Sequence, residues 1–233
     1  MELKPIPIDS HPTQPPARGE VLSSHVPEVA RVLRNTYALL SLTLLFSAAV
    51  ATTGMVLKLP APGLLLTLGG YFGLLFVVYR FKDSGWAIPA VFALTGFMGY
   101  TLGPLLAKMA GLPGGAQVIA MALGATGATF LALSAWVLAT KRDFSFMGGF
   151  LFAGMVIALL GGLGAIFFQV PALGLAVSAM VALLSAALIL YETSRIVNGG
   201  ESNYVLATVG LYVSIFNLFT SLLSLFGLGG GDD

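Results

Sequence analysis

Seven apolar runs, each long enough to cross a bilayer, occupy most of the chain after residue 34. A hydrocarbon core about 30 Å thick needs about 20 helical residues that rise about 1.5 Å each. Only 9% of the 233 residues are charged, where a soluble domain has about a quarter, and the mean hydropathy is +0.94. The pattern predicts an all-α, polytopic membrane protein. The runs cover residues 35–57, 62–79, 86–107, 116–140, 146–169, 172–191 and 204–226.

The breaks between these runs are short and hold proline, glycine or charged residues, so no loop can fold as a soluble domain. The first residues are rich in proline and have too little apolar surface to offset the entropy of ordering them. We therefore predict a disordered cytoplasmic tail over residues 1–28. A seven-helix transmembrane domain then covers residues 29–228, and a short C-terminal tail covers residues 229–233.

The orientation of the bundle follows from the basic residues, which favour the cytoplasmic side of a membrane. With seven spans, the N-terminal tail shares its side with the loops after the second, fourth and sixth runs. That side holds seven basic residues near the membrane and the other side holds two. We predict a cytoplasmic N-terminus and a C-terminus outside. The seven are Arg31, Arg34, Arg80, Lys82, Lys141, Arg142 and Arg195, and the two are Lys58 and Lys108.

Several reaction classes are excluded by the residues that the chain lacks. It has no cysteine, so no thiolate metal site, disulfide or cysteine nucleophile can form. Its two histidines, His11 and His25, lie in or beside the tail, which excludes a Ser-His dyad or a zinc-binding helix within the membrane. The basic residues form no patch that suits nucleic acid. We expect a non-enzymatic protein without a cofactor, in contact with the lipid bilayer and not with nucleic acid.

Glu192 is the acidic residue that lies at the edge of an apolar run rather than in a tail or an exposed loop. It stands three residues before Arg195, so the two side chains share a helix face and can pair. One interpretation is an ion pair that anchors the cytoplasmic end of the sixth run. The other is that Glu192 faces the bundle interior as a proton-sensitive latch or a cation ligand, with Arg80 as a second latch partner.

The seventh run has a polar face. Ser214 and Asn217 are three positions apart, and Thr220 and Ser221 follow one turn later. Hydrogen bonds between helices are one interpretation, and a polar path beside Glu192 is the other. Glu192, Ser214 and Asn217 are therefore the candidate proton or cation site, and these residue types do not identify a metal.

Small residues recur every four positions in several runs, which lets helix backbones approach closely. We expect these ladders to pack within the bundle, and a dimer face is the alternative. They comprise Gly69 and Gly73; Gly99 and Gly103; Ala120, Gly124, Ala128 and Ala132; Gly154, Ala158 and Gly162; and Ser178, Ala182 and Ala186.

Several motifs, in order and spacing, closely resemble the Bax inhibitor-1 family of integral membrane proteins. The resemblance covers about residues 31–226, nearly everything except the tail. It implies a seven-helix bundle whose last helix is central. The motifs are residues 32–37 (VLRNTY) and 39–44 (LLSLTL), then Glu192-Thr193, Gly199-Gly200-Glu201 and Asn203-Tyr204, and finally residues 211–217 (LYVSIFN).

The resemblance also implies a function. For the bacterial members that this chain is most similar to, it implies location in the inner membrane and restraint of FtsH, the membrane-anchored AAA protease of membrane-protein quality control. Other branches are proposed to be pH-gated calcium leaks with two aspartates, whose positions fall on Glu192 and Ser214 here. A lone carboxylate cannot share a proton with a second one, which favours the protease modulator. A calcium or proton leak through Glu192, Ser214 and Asn217 is the alternative.

Overall fold

The structure is a computed structural model that describes the backbone of residues 18–229 and the side chains of residues 28–227. Apart from one short 3-10 helix at Ser145–Met147, the regular elements in this part are seven α-helices. Each holds a segment long and apolar enough to cross a membrane, which confirms the predicted all-α bundle. The helices are α1 (Arg18–Val56), α2 (Leu64–Phe81), α3 (Ala87–Ala110), α4 (Gly115–Thr140), α5 (Gly148–Phe167), α6 (Pro171–Val197) and α7 (Tyr204–Gly229).

The two predicted tails lie largely outside the described residues. Residues 1–17 and 230–233 are not described, and the backbone from Arg18 onward belongs to α1. The membrane-length part of α1 is Glu28–Val56, which begins where the predicted transmembrane domain begins.

Helix α7 occupies the centre of the bundle, as the family resemblance implied. It packs against α1, α3, α4 and α6, whereas α2 packs mainly on α3 and α5 mainly on α6. Leu211, Tyr212 and Leu223 of α7 are almost completely buried. The peripheral helices α2 and α5 instead present most of their large apolar side chains to the bilayer.

Some of the predicted small-residue ladders hold the bundle together. Gly99 and Gly103 of α3 lie against α1, where a Cβ on Gly99 would come within 2.5 Å of the Ser47 carbonyl oxygen. On α5, a Cβ on Gly154 would come within 2.7 Å of Leu184 of α6. These contacts confirm close packing of α1 with α3 and of α5 with α6.

The prediction of internal packing is wrong for the ladders of α2 and α4. Gly69, Gly73 and Gly124 have no atom within 4 Å of the place that a Cβ would take, and the α4 ladder faces outward. The core-facing side of α4 includes Thr126 and Ser134 instead. Hydroxyl groups are costly in hydrocarbon unless they are bonded, whereas alanine and glycine tolerate lipid, so the polar face turns inward.

The turn between α6 and α7 is shorter than predicted. Helix α6 continues to Val197, six residues beyond the predicted end of the run, and the turn then passes through Gly199 at a φ of +75°. The Asn203 side chain begins α7 by accepting hydrogen bonds from the backbone N–H groups of Val205 and Leu206, at 2.9 and 3.2 Å. Its amide nitrogen also donates to Asp83 at 2.9 Å, which ties this turn to the α2–α3 loop.

Candidate functional site

Glu192 lies in the last two turns of α6 and points at α7. Its side chain is 15% exposed. Its carboxylate carbon lies 2.7 Å, and its two oxygens 2.9 and 3.0 Å, from the place that a Cβ of Gly210 would take. A glycine on α7 therefore makes the room that this carboxylate occupies. The geometry places the carboxylate in the contact between α6 and the central helix, and not on the lipid-facing surface.

Arg195 connects Glu192 to the turn that follows α6. Its guanidinium lies 3.8 Å from Glu192 and 3.1 Å from Glu201, and it stacks over the Tyr191 ring at 5.6 Å. The closer partner is Glu201, which sequence reasoning left out of the site. Because its carboxylate and that of Glu192 share one cation, negative charge is partly balanced at this end of the bundle.

Arg80 lies apart from this cluster. Its side chain is exposed, and its guanidinium stands over the Phe81 ring at 5.7 Å. Among the described side chains it has no carboxylate within 4.0 Å, whereas Arg195 has two. The structure therefore does not bring Arg80 to Glu192.

Ser214 and Asn217 lie on the same face of α7 as Gly210, one and two turns further along the helix. The Ser214 hydroxyl is buried and donates to the Gly210 carbonyl oxygen at 2.9 Å. Asn217 stands seven residues beyond Gly210, about 10 Å along the axis. It lines a crevice between α2 and α5. The candidate site residues thus follow one another along the same side of α7, and no hydrogen bond joins the side chains of Glu192, Ser214 and Asn217.

The other hydroxyl groups of α7 are mostly satisfied within their own helix. Thr220 and Ser224 donate to carbonyl oxygens one turn back, at 3.0 and 2.9 Å. Two α7 hydroxyls bond to other helices. The Tyr212 hydroxyl meets the Ser47 hydroxyl at 2.6 Å and the Thr95 carbonyl oxygen at 3.3 Å, and the Thr208 hydroxyl reaches the Thr36 carbonyl oxygen at 3.3 Å. The predicted interhelical bonding exists, but it uses Tyr212 and Thr208 rather than the predicted residues Ser214, Asn217, Thr220 and Ser221.

No cluster of three metal-binding side chains occurs in the part of the chain that the structure describes. The carboxylates of Glu192 and Glu201 both pair with Arg195, whose guanidinium lies between them. A cation at Glu192 would therefore take its remaining ligands from neutral oxygens, such as backbone carbonyls.

Similarity to known proteins agrees with this architecture. A model of the family described as "Inhibitor of apoptosis-promoting Bax1" matches residues 29–231. The chain belongs to this Bax inhibitor-1 family. The match covers the seven membrane-length helices and confirms the resemblance that the motifs indicated.

Three relatives are 52% identical to the chain. One, from Escherichia coli K12, is named modulator of FtsH protease YccA, and another, from Escherichia coli O6:H1, is named inner membrane protein YccA. Each aligns over 215 residues, 92% of this chain and 95% of the relative. An uncharacterized protein of Pseudomonas aeruginosa aligns over 206 residues, 88% of this chain and 93% of the relative. With its seven apolar helices, the chain is a multi-pass inner-membrane protein.

Proposed function

We propose that the chain is a modulator of an FtsH-type AAA protease, both as a restraining partner and as a substrate, in the quality control of membrane proteins. The observation that carries the proposal is the 52% identity, over 92% of the chain, to the relative named modulator of FtsH protease. Identity at this level over nearly the whole chain includes the α6–α7 hairpin and the central helix. The modulation acts through binding and not through catalysis.

The loops limit where a protease can make contact. Between the described helices, no connection is longer than seven residues. None of them forms a folded domain, so recognition uses lipid-facing helix surfaces, the helix ends or the N-terminal segment. This limit suits a partner that is itself anchored in the membrane.

The first experiment reconstitutes an FtsH-type protease with the chain in proteoliposomes. We expect the chain to copurify with the protease and to slow degradation of a second membrane substrate as its amount rises. A seven-helix membrane protein of unrelated sequence, at the same amount, controls for crowding of the bilayer. If the chain and the control slow degradation equally, the modulator proposal is wrong.

The second experiment concerns the role as a substrate. AAA proteases start from a segment that is not folded, and residues 1–17 include five prolines, a composition that disfavours folding. Removing these residues leaves the described helices intact, and we expect a longer lifetime in cells with active protease. Equal lifetimes of the truncated and full chains would exclude this segment as the starting point.

The alternative function is a pH-sensitive calcium or proton leak. The buried position of the Glu192 carboxylate against Gly210 favours it. In liposomes, Glu192→Gln should then abolish calcium or proton flux. Glu28→Gln, which changes an exposed carboxylate at the start of the first span, should leave the flux intact. Absence of flux in the unmodified chain would exclude the leak.

A further inference from the structure

A crevice with a volume of about 500 Å³ opens sideways between α2 and α5. The two helices that flank it are the loosely attached ones, since α2 packs mainly on α3 and α5 mainly on α6. The walls of the crevice are leucine, isoleucine, valine, phenylalanine and methionine, with alanine and glycine between them. Its volume lies within the range of pockets that bind ligands. Because α2 and α5 turn large apolar side chains outward on either side of it, the crevice opens to hydrocarbon and not to water.

Two polar groups stand in this apolar crevice. Asn217 of the central helix and Tyr71 of α2 both line it. Asn217 is half-buried, and within the described residues neither its amide nor the Tyr71 hydroxyl forms a side-chain hydrogen bond. The Tyr71 ring packs edge-on against Phe72 at 5.1 Å. An amide has two donors and one strong acceptor, and leaving them unpaired in hydrocarbon is unfavourable.

The depth of these groups determines what can pair with them. Asn217 lies 13 residues after the start of α7 and 12 before its end, and Tyr71 is also near the middle of its helix. Both therefore lie near the bilayer midplane. The ester groups of a phospholipid lie at the interface, about 15 Å away in a core about 30 Å thick. An acyl chain can fill the crevice but cannot pair with the amide.

A transmembrane helix with a polar side chain near its centre supplies the missing groups. Side-chain hydrogen bonds between helices are a general source of association in membranes.

We infer that this crevice, defined by Tyr71, Asn217 and the walls of α2 and α5, binds one transmembrane helix that carries an uncharged hydrogen-bonding side chain at the bilayer midplane. The crevice receives the side chains of one helix face, because a whole helix is about 10 Å across. The inference concerns any such helix and does not depend on a protease.

The test uses synthetic peptides and a chain with a single introduced cysteine. The natural chain has no cysteine, so the label can attach only at the introduced position. A photoreactive group is attached at Phe152→Cys on the rim of the crevice. The matched control is Phe150→Cys, on the same helix and equally exposed, which does not line the crevice. The peptide is a helix of about 20 leucine and alanine residues with either asparagine or leucine at its centre.

From Phe152→Cys in liposomes, we expect the central-asparagine peptide to crosslink about three- to tenfold more than the central-leucine peptide, the range that one interhelical hydrogen bond gives. From Phe150→Cys the two peptides should crosslink equally. Asn217→Leu should remove the preference, and Asn217→Gln, which keeps the amide, should retain it and show that the bundle is intact.

Three results would overturn the inference. One is equal crosslinking of both peptides from Phe152→Cys, and another is a preference that survives Asn217→Leu. The third is crosslinking to phospholipid, or to a second copy of the chain, that the asparagine peptide does not displace. This assay contains no protease, so a negative result would not contradict the proposed modulation of an FtsH-type protease. Likewise, a negative result in the protease assay would not contradict helix binding in the crevice.

Discussion

The Glu192 carboxylate fills the space that a side chain on Gly210 would need, with both of its oxygens within 3.0 Å of that Cβ position. Because the obstacle is the end of a flexible side chain, Gly210→Ala should cost less than about 1 kcal/mol, since alanine also favours the helix. Gly210→Leu should cost about 1 to 3 kcal/mol through overpacking. Thermal unfolding in detergent measures both.

A double-mutant cycle tests whether Glu192 is the cause of that cost. In the Glu192→Ala background the space beside Gly210 is free, so Gly210→Leu should then be better tolerated than in the natural chain. If the penalty is the same in both backgrounds, other neighbours and not Glu192 oppose a side chain at this position.

Ser214→Asp should introduce a response to pH that the natural chain lacks. The change places a second carboxyl one turn beyond Gly210, on the face of α7 that Glu192 contacts. Two carboxyls in a poorly solvated site favour sharing one proton, which would hold α6 and α7 together at low pH and separate them when the proton leaves. Spin-label distances between the two helices, measured from about pH 5 to 8, test this. Ser214→Asn is the uncharged control, and a flat response in Ser214→Asp would show that the two positions do not couple.

The sequence was sufficient to predict the class of fold because length and hydropathy alone determine which segments can cross a bilayer. It did not identify which face of each helix is internal. Most of these helices are apolar on every side and carry little amphipathic signal, so the outward position of Gly124 became clear only in the packed structure. In α4 the hydroxyls of Thr126 and Ser134 were a signal for the inward face that the small-residue ladder obscured. Ladders of small residues suit lipid and helix contacts alike.

The candidate site was predictable only in part. Glu192 and Arg195 were marked because charge at the end of an apolar run is rare, and the structure places them 3.8 Å apart. Gly210 carried no signal, since a single glycine in a membrane helix is common. Glu201 did carry a sequence signal, its position in the Gly-Gly-Glu motif. Its contact with Arg195 could not be predicted, because it depends on the conformation of the turn between α6 and α7.

Removing the buried hydroxyl of Tyr212 or of Tyr37 should have different effects on stability. The Tyr212 hydroxyl bonds to Ser47 and Thr95, so Tyr212→Phe should destabilise the bundle by about 0.5 to 1.5 kcal/mol. The Tyr37 hydroxyl is buried without a partner among the described residues. Tyr37→Phe should therefore be neutral or stabilising, because it removes an unpaired polar group. Thermal unfolding of both variants gives the comparison, and equal losses would mean that Tyr37 has a partner after all.

Asp143, in the loop between α4 and α5, should respond to acid. Hydrogen bonds from the Ser145 hydroxyl, and then from its backbone N–H at 2.8 Å, lower the pKa of the Asp143 carboxyl below its ordinary value of 3.8. A lowered pKa stabilises this turn at pH values above the ordinary pKa, and the contribution is lost as pH falls through the lower value in the folded state. The Ser145 amide resonance should titrate with that lower pKa. Asp143→Asn should abolish the titration, and a midpoint at or above the ordinary value would contradict the prediction.

Gly99→Ala and Gly73→Ala should separate glycines that are needed for packing from those that are not. A Cβ on Gly99 would come within 2.5 Å of the Ser47 carbonyl oxygen and 2.9 Å of its hydroxyl. The Ser47 carbonyl oxygen belongs to the backbone and cannot move by a rotamer change, so α1 and α3 would have to move apart. We expect a loss of about 1 to 3 kcal/mol, the usual cost of overpacking a well-packed contact.

Gly73 has open space at its Cβ position, and alanine there should be neutral or add about 0.5 to 1 kcal/mol of helix stability. Thermal unfolding of the two variants in the same detergent decides, and a Gly99→Ala protein as stable as Gly73→Ala would show that α1 and α3 are not held at this distance.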